Sequence, residues 1–265
     1  RSGLPANQRI IVFSPHPDDD VISMGGMLDK LVANDNEIIV AYMTNGSVAV
    51  FDADVRRYVQ FVELTHGAIG LNEVAMEAFR TQKNRVLRFL EQKDPGQVDL
   101  DEVQRIKAGI RYAEAVAGIE VLGLGPEHAC FLDLPLYQTG TVRKNPIGQA
   151  DVDIVLGLLE ERRPHHIFVA GDLSDPHGTH RTCLKAILMA CDRVKNEPWY
   201  APCQVWLYRG AWQEWGPHES EMAVPLRVTE LKAERSREST SRSDPDVELR
   251  PMLSELKPLN WSKSA

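Results

Sequence analysis

Apolar and polar positions alternate in blocks along this chain, and the blocks predict strands and helices in turn. Arg9–Ser14 (RIIVFS) is a short β-branched apolar run stopped by Pro15, which reads as a buried strand. After a polar stretch, Ile22, Met24, Leu28 and Leu31 recur at a helical period and predict a helix over 21–35. A second run, EIIVAYM (37–43), follows the turn residues Asn34, Asp35 and Asn36. It is apolar on both faces, as strands of a helix-covered parallel sheet are. A long helical region is predicted over 54–93, broken near 67–72, and Asp94-Pro95-Gly96 is a plain stop. Helices over 100–118, 151–163 and 179–195 then alternate with strands over 129–133, 165–171 and 204–209, and a weaker strand over 222–226. This order predicts an α/β fold: a Rossmann-like, doubly wound, mostly parallel sheet with helices on both faces, in a single domain. The domain is expected over 1–228, with a polar, partly disordered tail over 229–265 that carries a helical turn or two. In such a sheet ligands bind outside the carboxyl ends of the strands, so functional residues should follow strands.

Composition narrows the function more than the fold. With 30 Lys and Arg against 38 Asp and Glu, the formal net charge of −8 repels phosphate backbones and anionic lipid, which argues against nucleic acid and membrane partners. No apolar run approaches the ~20 residues of a membrane helix, so no membrane span is expected, and the unpaired cysteines fit a cytoplasmic setting. Cys130, Cys183, Cys191 and Cys203 show no paired or zinc-finger spacing and read as reduced, small apolar residues. The chain starts at Arg1 without an initiator Met, which suggests one domain cut from a longer polypeptide.

Two polar clusters follow strands, and each joins histidine to carboxylate. In SPHPDDD (14–20), His16 and Asp19 are three residues apart, so one helical turn can aim both at a point while Asp18 lies beside them. In DLSDPHGTHR (172–181), Asp175-Pro176 reads as the N-cap and first position of a helix, from whose first turn His177 and His180 would project on one face. Alone, a Pro-Asp-Asp turn or an H-x-x-H spacing is commonplace. Together they offer His16, Asp19 and His180 as three ligands for a divalent ion, leaving Asp18 and His177 for other work. Three protein ligands with an open position make up a catalytic zinc site, and gathering these groups without a cation would be costly.

These residues resemble a known family. His16-Pro17-Asp18-Asp19 after the first strand, Gly25-Gly26 in the next helix and the late His177-x-x-His180-Arg181 look like the PIG-L/LmbE family of zinc-dependent de-N-acetylases. Arg111-x-x-Glu114 and Phe131-Leu132-Asp133-Leu134-Pro135 are similar to that family's middle region. More narrowly, SPHPDDDVISMGG and VWLYRGAWQEW resemble the deacetylase-like domain that some bacterial chains carry fused behind a glucosamine-6-phosphate deaminase domain. The resemblance implies Zn²⁺ held by His16, Asp19 and His180. It implies Asp18 as general base, and His177 as the group that stabilises the oxyanion and helps the amine leave. The implied reaction removes an N-acetyl group from an N-acetylglucosamine-type sugar, a small-molecule substrate. The chain departs from the pattern at Asp20, where the family usually has Glu, and at Thr179, where it usually has Asp. It also lacks the H-x-S-Q-like segment. With Thr179 in place, His177 is expected either to be a weaker acid catalyst or to be held by another carboxylate such as Asp175 or Asp172.

Other features are less specific. Arg111, and less so Arg56, could grip a substrate hydroxyl or phosphate; for Arg111 the competing reading is a solvated helix face paired with Glu114. Asn45 follows the second strand and could line the pocket. Trp206, Trp212 and Trp215 could stack on a sugar or fill the core, and His66, His128, His165, His166 and His218 read as structural. Two other functions fit the same residues. One is non-haem Fe(II) chemistry on a two-His, one-carboxylate triad. The other is a metal-stabilised, non-catalytic regulatory domain of a glucosamine-6-phosphate deaminase fusion.

Overall fold

The computed structural model describes residues 3–70, 72–209, 215–216, 218–220, 222–224 and 254–258. Parallel strands β1 (Arg9–Ser14), β2 (Glu37–Tyr42), β3 (Ala129–Phe131), β4 (His166–Ala170) and β5 (Gln204–Arg209) form the body of one sheet. Two short strands, β6 (Met222–Val224) and β7 (Ser254–Pro258), extend it antiparallel, in the order β3-β2-β1-β4-β5-β7-β6. The strand order reverses between β2 and β4, with β1 at the switch. The α/β class and the mostly parallel, doubly wound sheet expected from the sequence are therefore present.

The helices are α1 (Asp19–Ala33), α2 (Asp52–Thr65), α3 (Glu73–Gln92), α4 (Asp101–Glu120), α5 (Gln149–Arg162) and α6 (Thr179–Val194). Period-two alternation sends Ile10, Val12, Ile38, Val40 and Tyr42 to one face of the sheet, into a cluster with Met24, Met27, Leu28 and Leu31 of α1 and Ala115 and Ile119 of α4. Ile11, Phe13, Ile167 and Val169 are equally buried on the other face, and there α6 packs against β4 and α5 against α6. Ile22, expected on the buried stripe of α1, is only partly buried, because Val21 and Met27 take that place. Gly118 of α4 lies so close to α1 that a Cβ there would meet Val21 at 3.3 Å.

The chain divides into two compact units, where the sequence reading has a single domain. The sheet and its helices make the first, residues 1–45, 113–139 and 143–265. Residues 46–112 and 140–142 make the second, which has its own core of Val55, Val59, Val86, Leu90 and Val103. In it, Asp52 and Asp99 are shared by two ammonium groups. Lys107 Nζ is 2.7 Å from both carboxylates, and Lys93 Nζ lies 3.1 Å from Asp52 and 2.7 Å from Asp99.

Within the stretch 229–265, read from the sequence as a polar, partly disordered tail, Ser254–Pro258 is a strand inserted between β5 and β6. The helical turn expected past residue 228 lies outside the described residues. Among the described residues no helix is long and apolar enough to cross a membrane. The four cysteines are free, and burial pushes their thiols up, which removes thiolate chemistry from consideration.

Candidate metal centre and active site

The loop after β1 and the loop after β4 meet at the switch point, because the two strands are neighbours in parallel register, with Ile10 opposite His166 and Phe13 opposite Val169. The first loop is built by its own backbone. His16 O accepts from Asp18 N at 2.8 Å and from the Ser14 hydroxyl, and Pro15 O accepts from both the amide and the hydroxyl of Thr44 beyond β2. This turns Asp19 into the first turn of α1, where the helix dipole favours a carboxylate. Its Oδ2 accepts from His16 N at 2.9 Å and lies 3.1 Å from His16 Nδ1. His180, in the first turn of α6, brings Nε2 to 3.2 Å from the same oxygen. His16, Asp19 and His180 thus each offer a ligand atom within 4.8 Å of the others, as the sequence predicts.

These three fit a divalent ion. In a tetrahedral centre with ligand bonds of about 2.0–2.1 Å, neighbouring donors lie about 3.3 Å apart, close to the two separations observed. His180 is 1% exposed, yet neither ring nitrogen makes an aligned hydrogen bond among the described residues. A buried imidazole left this way needs a partner. Burial alone would raise the Asp19 pKa, but His16 and His180 outweigh it and hold the carboxyl well below its usual range. Burial would likewise lower the His180 pKa, and the neighbouring carboxylate of Asp19, then Asp175 and Asp172, reverse the shift upward. The cluster carries the negative field that a cation would satisfy.

The residues around this centre differ from the sequence reading in several ways. Asp18 is the N-cap of α1, but its side chain makes no cap bond. Helix α6 begins at Thr179, as its periodicity predicts, and not at Asp175-Pro176, where the capping signal would start it. Gly178 is its N-cap in a left-handed conformation, φ +69, which L side chains adopt only with strain. Asp175 acts from outside the helix, its Oδ2 accepting from Thr179 N at 2.7 Å. His177 therefore precedes the helix in an exposed turn and does not share a helical face with His180. Thr179 is fully buried and its hydroxyl makes no hydrogen bond among the described residues, so it does not orient His177; nor does Asp175, whose Oδ1 is also buried without one.

Asp20 lies 0% exposed beneath the loop, bonded to Ser14 Oγ at 3.1 Å and by Tyr42 OH at 3.0 Å; burial pushes its pKa up to about 7. Asn45 is half-buried past the carboxyl end of β2, next to Thr44. Arg111 belongs to the second unit and is buried on α4, which overturns the solvated-face reading, because that side of the helix is packed. Arg56 lies 4.0 Å from Glu91 in an exposed ion pair. His165 Nδ1 accepts from Arg9 N at 3.0 Å, and His128 and His66 bond backbone carbonyls, so these are structural as expected. Trp206 donates to His166 and stacks toward Phe168, and Arg209 lies 3.4 Å over the buried Trp215, so both rings pack the fold; Trp212 lies outside the described residues. Sequence reasoning missed Tyr137, whose ring is edge-on to His16 at 6.4 Å, and Lys144, whose ammonium lies 5.5 Å over that ring.

Two histidines and an aspartate that could hold a divalent ion thus gather at the switch point of a doubly wound α/β sheet. Residues 11–191 match the PIG-L family model, described as GlcNAc-PI de-N-acetylase, and the chain belongs to that family. It is 43% identical over 266 residues to a glucosamine-6-phosphate deaminase-like protein of Bacteroides thetaiotaomicron. The match covers 98% of this chain and 39% of that protein, so the chain spans about two fifths of the length of its curated relative. Among solved structures it resembles N,N'-diacetylchitobiose deacetylase from Pyrococcus horikoshii, with TM-score 0.52 and 16% identity over 88% of this chain and 70% of the other. It also resembles the 4-carboxy-2-hydroxymuconate hydratase GalB from Pseudomonas putida, with TM-score 0.56 and 12% identity over 96% of both chains. At these identities the two structures share the fold.

Proposed function

We propose that the chain is a zinc-dependent N-deacetylase that hydrolyses the N-acetyl group of an N-acetylglucosamine-type sugar or conjugate. The observation that carries the reading is the convergence of His16, Asp19 and His180, with His180 Nε2 3.2 Å from the Asp19 carboxylate and Nδ1 buried without a hydrogen bond among the described residues. Family membership supports the reaction class, and the diacetylchitobiose deacetylase shares the fold. Fold alone would leave the chemistry open, since a hydratase shares it as well.

A divalent ion held by the three donors would acidify a water and polarise the amide carbonyl. The chain supplies the rest. Asp18, adjacent to the ligand Asp19 and not engaged in capping, takes a proton as water adds to the carbonyl carbon. His177, at the exposed end of the loop after β4, hydrogen-bonds the developing oxyanion and delivers a proton to the leaving nitrogen, so that acetate and a free amine result. Tyr137 stands edge-on to His16, and Asn45 is proposed to contact the sugar.

The test is amine release from N-acetylglucosamine, its 6-phosphate and short chitooligosaccharides, with zinc-loaded and chelator-stripped protein side by side. Zinc-dependent release supports the reading. Metal-loaded protein inert on all of them, while still binding zinc, would favour the regulatory-domain reading, and activity only with Fe(II) and dioxygen would favour the oxygenase reading.

A further inference from the structure

Lys144 and Arg181 flank the His177-Gly178 turn. Lys144 Nζ donates to His177 O at 3.4 Å, a long contact for an ammonium, which commits one of its three donors and leaves two. The aromatic face of Tyr137 lies beneath it, and Tyr137 in turn touches the ring of His16. Arg181, one residue past the ligand His180, binds Leu173 O through Nη1 at 2.7 Å, and its Nη2 lies 3.2 Å from where a Cβ on Gly178 would stand. Among the described residues neither cation has a carboxylate within ion-pair distance, although the chain as a whole is acidic by eight charges. Partial burial disfavours the charged form of Lys144, and Asp175 steadies it only from a longer range. A cation held in a partly dry place beside the candidate acid, and not neutralised there, is suited to an anion that arrives with the substrate.

We infer that Lys144 and Arg181, which both reach the His177-Gly178 turn, form an anion subsite that receives a phosphate monoester on the amino-sugar substrate. The inference rests on the N-deacetylase reading for its location but not for its binding chemistry. The preferred substrate is then a phosphorylated N-acetyl amino sugar over its neutral counterpart. Lys144 supplies a compact point charge to the phosphate oxygens, and the cation–π contact with Tyr137 limits the freedom it loses when the phosphate docks.

Two measurements test it. The first is kcat/KM for N-acetylglucosamine 6-phosphate against N-acetylglucosamine in wild type, Lys144→Met, Lys144→Arg and Arg181→Met. The second is binding of glucosamine 6-phosphate against glucosamine by calorimetry. Wild type should favour the phosphorylated sugar, and Lys144→Met should reduce that preference by about 10- to 100-fold through KM, with Lys144→Arg restoring part of it. Arg181→Met should reduce it less. An equal loss on both sugars in Lys144→Met would show that the lysine only positions His177, and wild-type indifference to the phosphate would also overturn the inference. If no sugar is deacetylated yet glucosamine 6-phosphate binds in a Lys144-dependent way, the subsite stands and the deacetylase reading falls. If neither binding nor turnover depends on Lys144, the subsite is refuted.

Discussion

Asp19→Asn isolates the contribution of the ligand charge. The residue is 4% exposed, and the amide keeps the carboxylate's shape and the acceptor that receives His16 N at 2.9 Å. What it loses is the anion that faces His16 at 3.1 Å and His180 at 3.2 Å. A ligand that binds only the folded state stabilises it by about 2.7 kcal/mol when present at 100 times its dissociation constant. For a chain of this size each kcal/mol moves the melting temperature by about 2–4 °C, so saturating zinc should raise the wild-type midpoint by about 5–10 °C. The variant has two imidazoles and a neutral amide left, and its zinc-dependent shift should vanish at the same concentration. The assay is thermal unfolding with and without zinc, paired with metal content by mass spectrometry after desalting. Reading the difference between the two curves removes any effect of the substitution on the metal-free fold. An equal zinc shift in the variant, or none in wild type, would refute the assignment of Asp19.

Asp18→Asn should retain zinc and lose about 10²–10⁴-fold in kcat, the usual worth of a placed proton acceptor; unchanged turnover in metal-loaded protein would remove the role. His177→Ala should cost about 10²–10³-fold, and a silent variant would place oxyanion stabilisation elsewhere. Thr179→Asp, which restores the family's usual residue, should lower stability by about 2–5 kcal/mol in urea unfolding, because the new carboxylate is fully buried beside Asp175; no loss would contradict the burial. The second unit should be most stable between roughly pH 4 and 10. Despite partial burial, which raises it, Lys107 and Lys93 hold the Asp52 pKa below 3.8, so its contribution is present above that value and fades as pH falls through the folded pKa. Burial lowers the Lys93 pKa, but Asp99 and Asp52 lift it above 10.5, so its contribution is complete below that value and is lost as pH rises through the folded pKa. Hydrogen exchange of α2 and α3 across pH would show protection falling at both ends, and a flat profile would contradict the network.

The convergence of His16, Asp19 and His180 was legible because each step used a local signal. Pro15 ends β1, a spacing of three aims His16 and Asp19 together, and the strand-end rule for parallel sheets brings His180 beside them. Periodicity places the start of α6 correctly at Thr179, and only the capping signal at Asp175-Pro176 misleads, because it is the same as that of an N-cap followed by a first-turn proline. The difference lies in Gly178, whose positive φ turns the chain into the helix only after His177. Lys144 and Tyr137 gave no local sign, since their contacts to His177 and His16 cross long stretches of sequence. The same holds for Ser254–Pro258, a polar five-residue strand in a charged region that pairs on both sides with β5 and β6. The separate core of 46–112 was hidden because helical periodicity reports which face is apolar and not which neighbour covers it.

The pairing of β1 with β4 also sets the order in which the centre can come into being. Arg9 and His165, 156 residues apart in sequence, bond to each other at the start of the two strands, and the donors stand at their far ends. The helices and the β1–β2 pair close over short loops, whereas this register closes over one of the longest in the chain, and its entropy must be met before its contacts return anything. During refolding, helix content should therefore rise first, and capacity for zinc should follow in a slower phase that tracks the joining of β1 to β4.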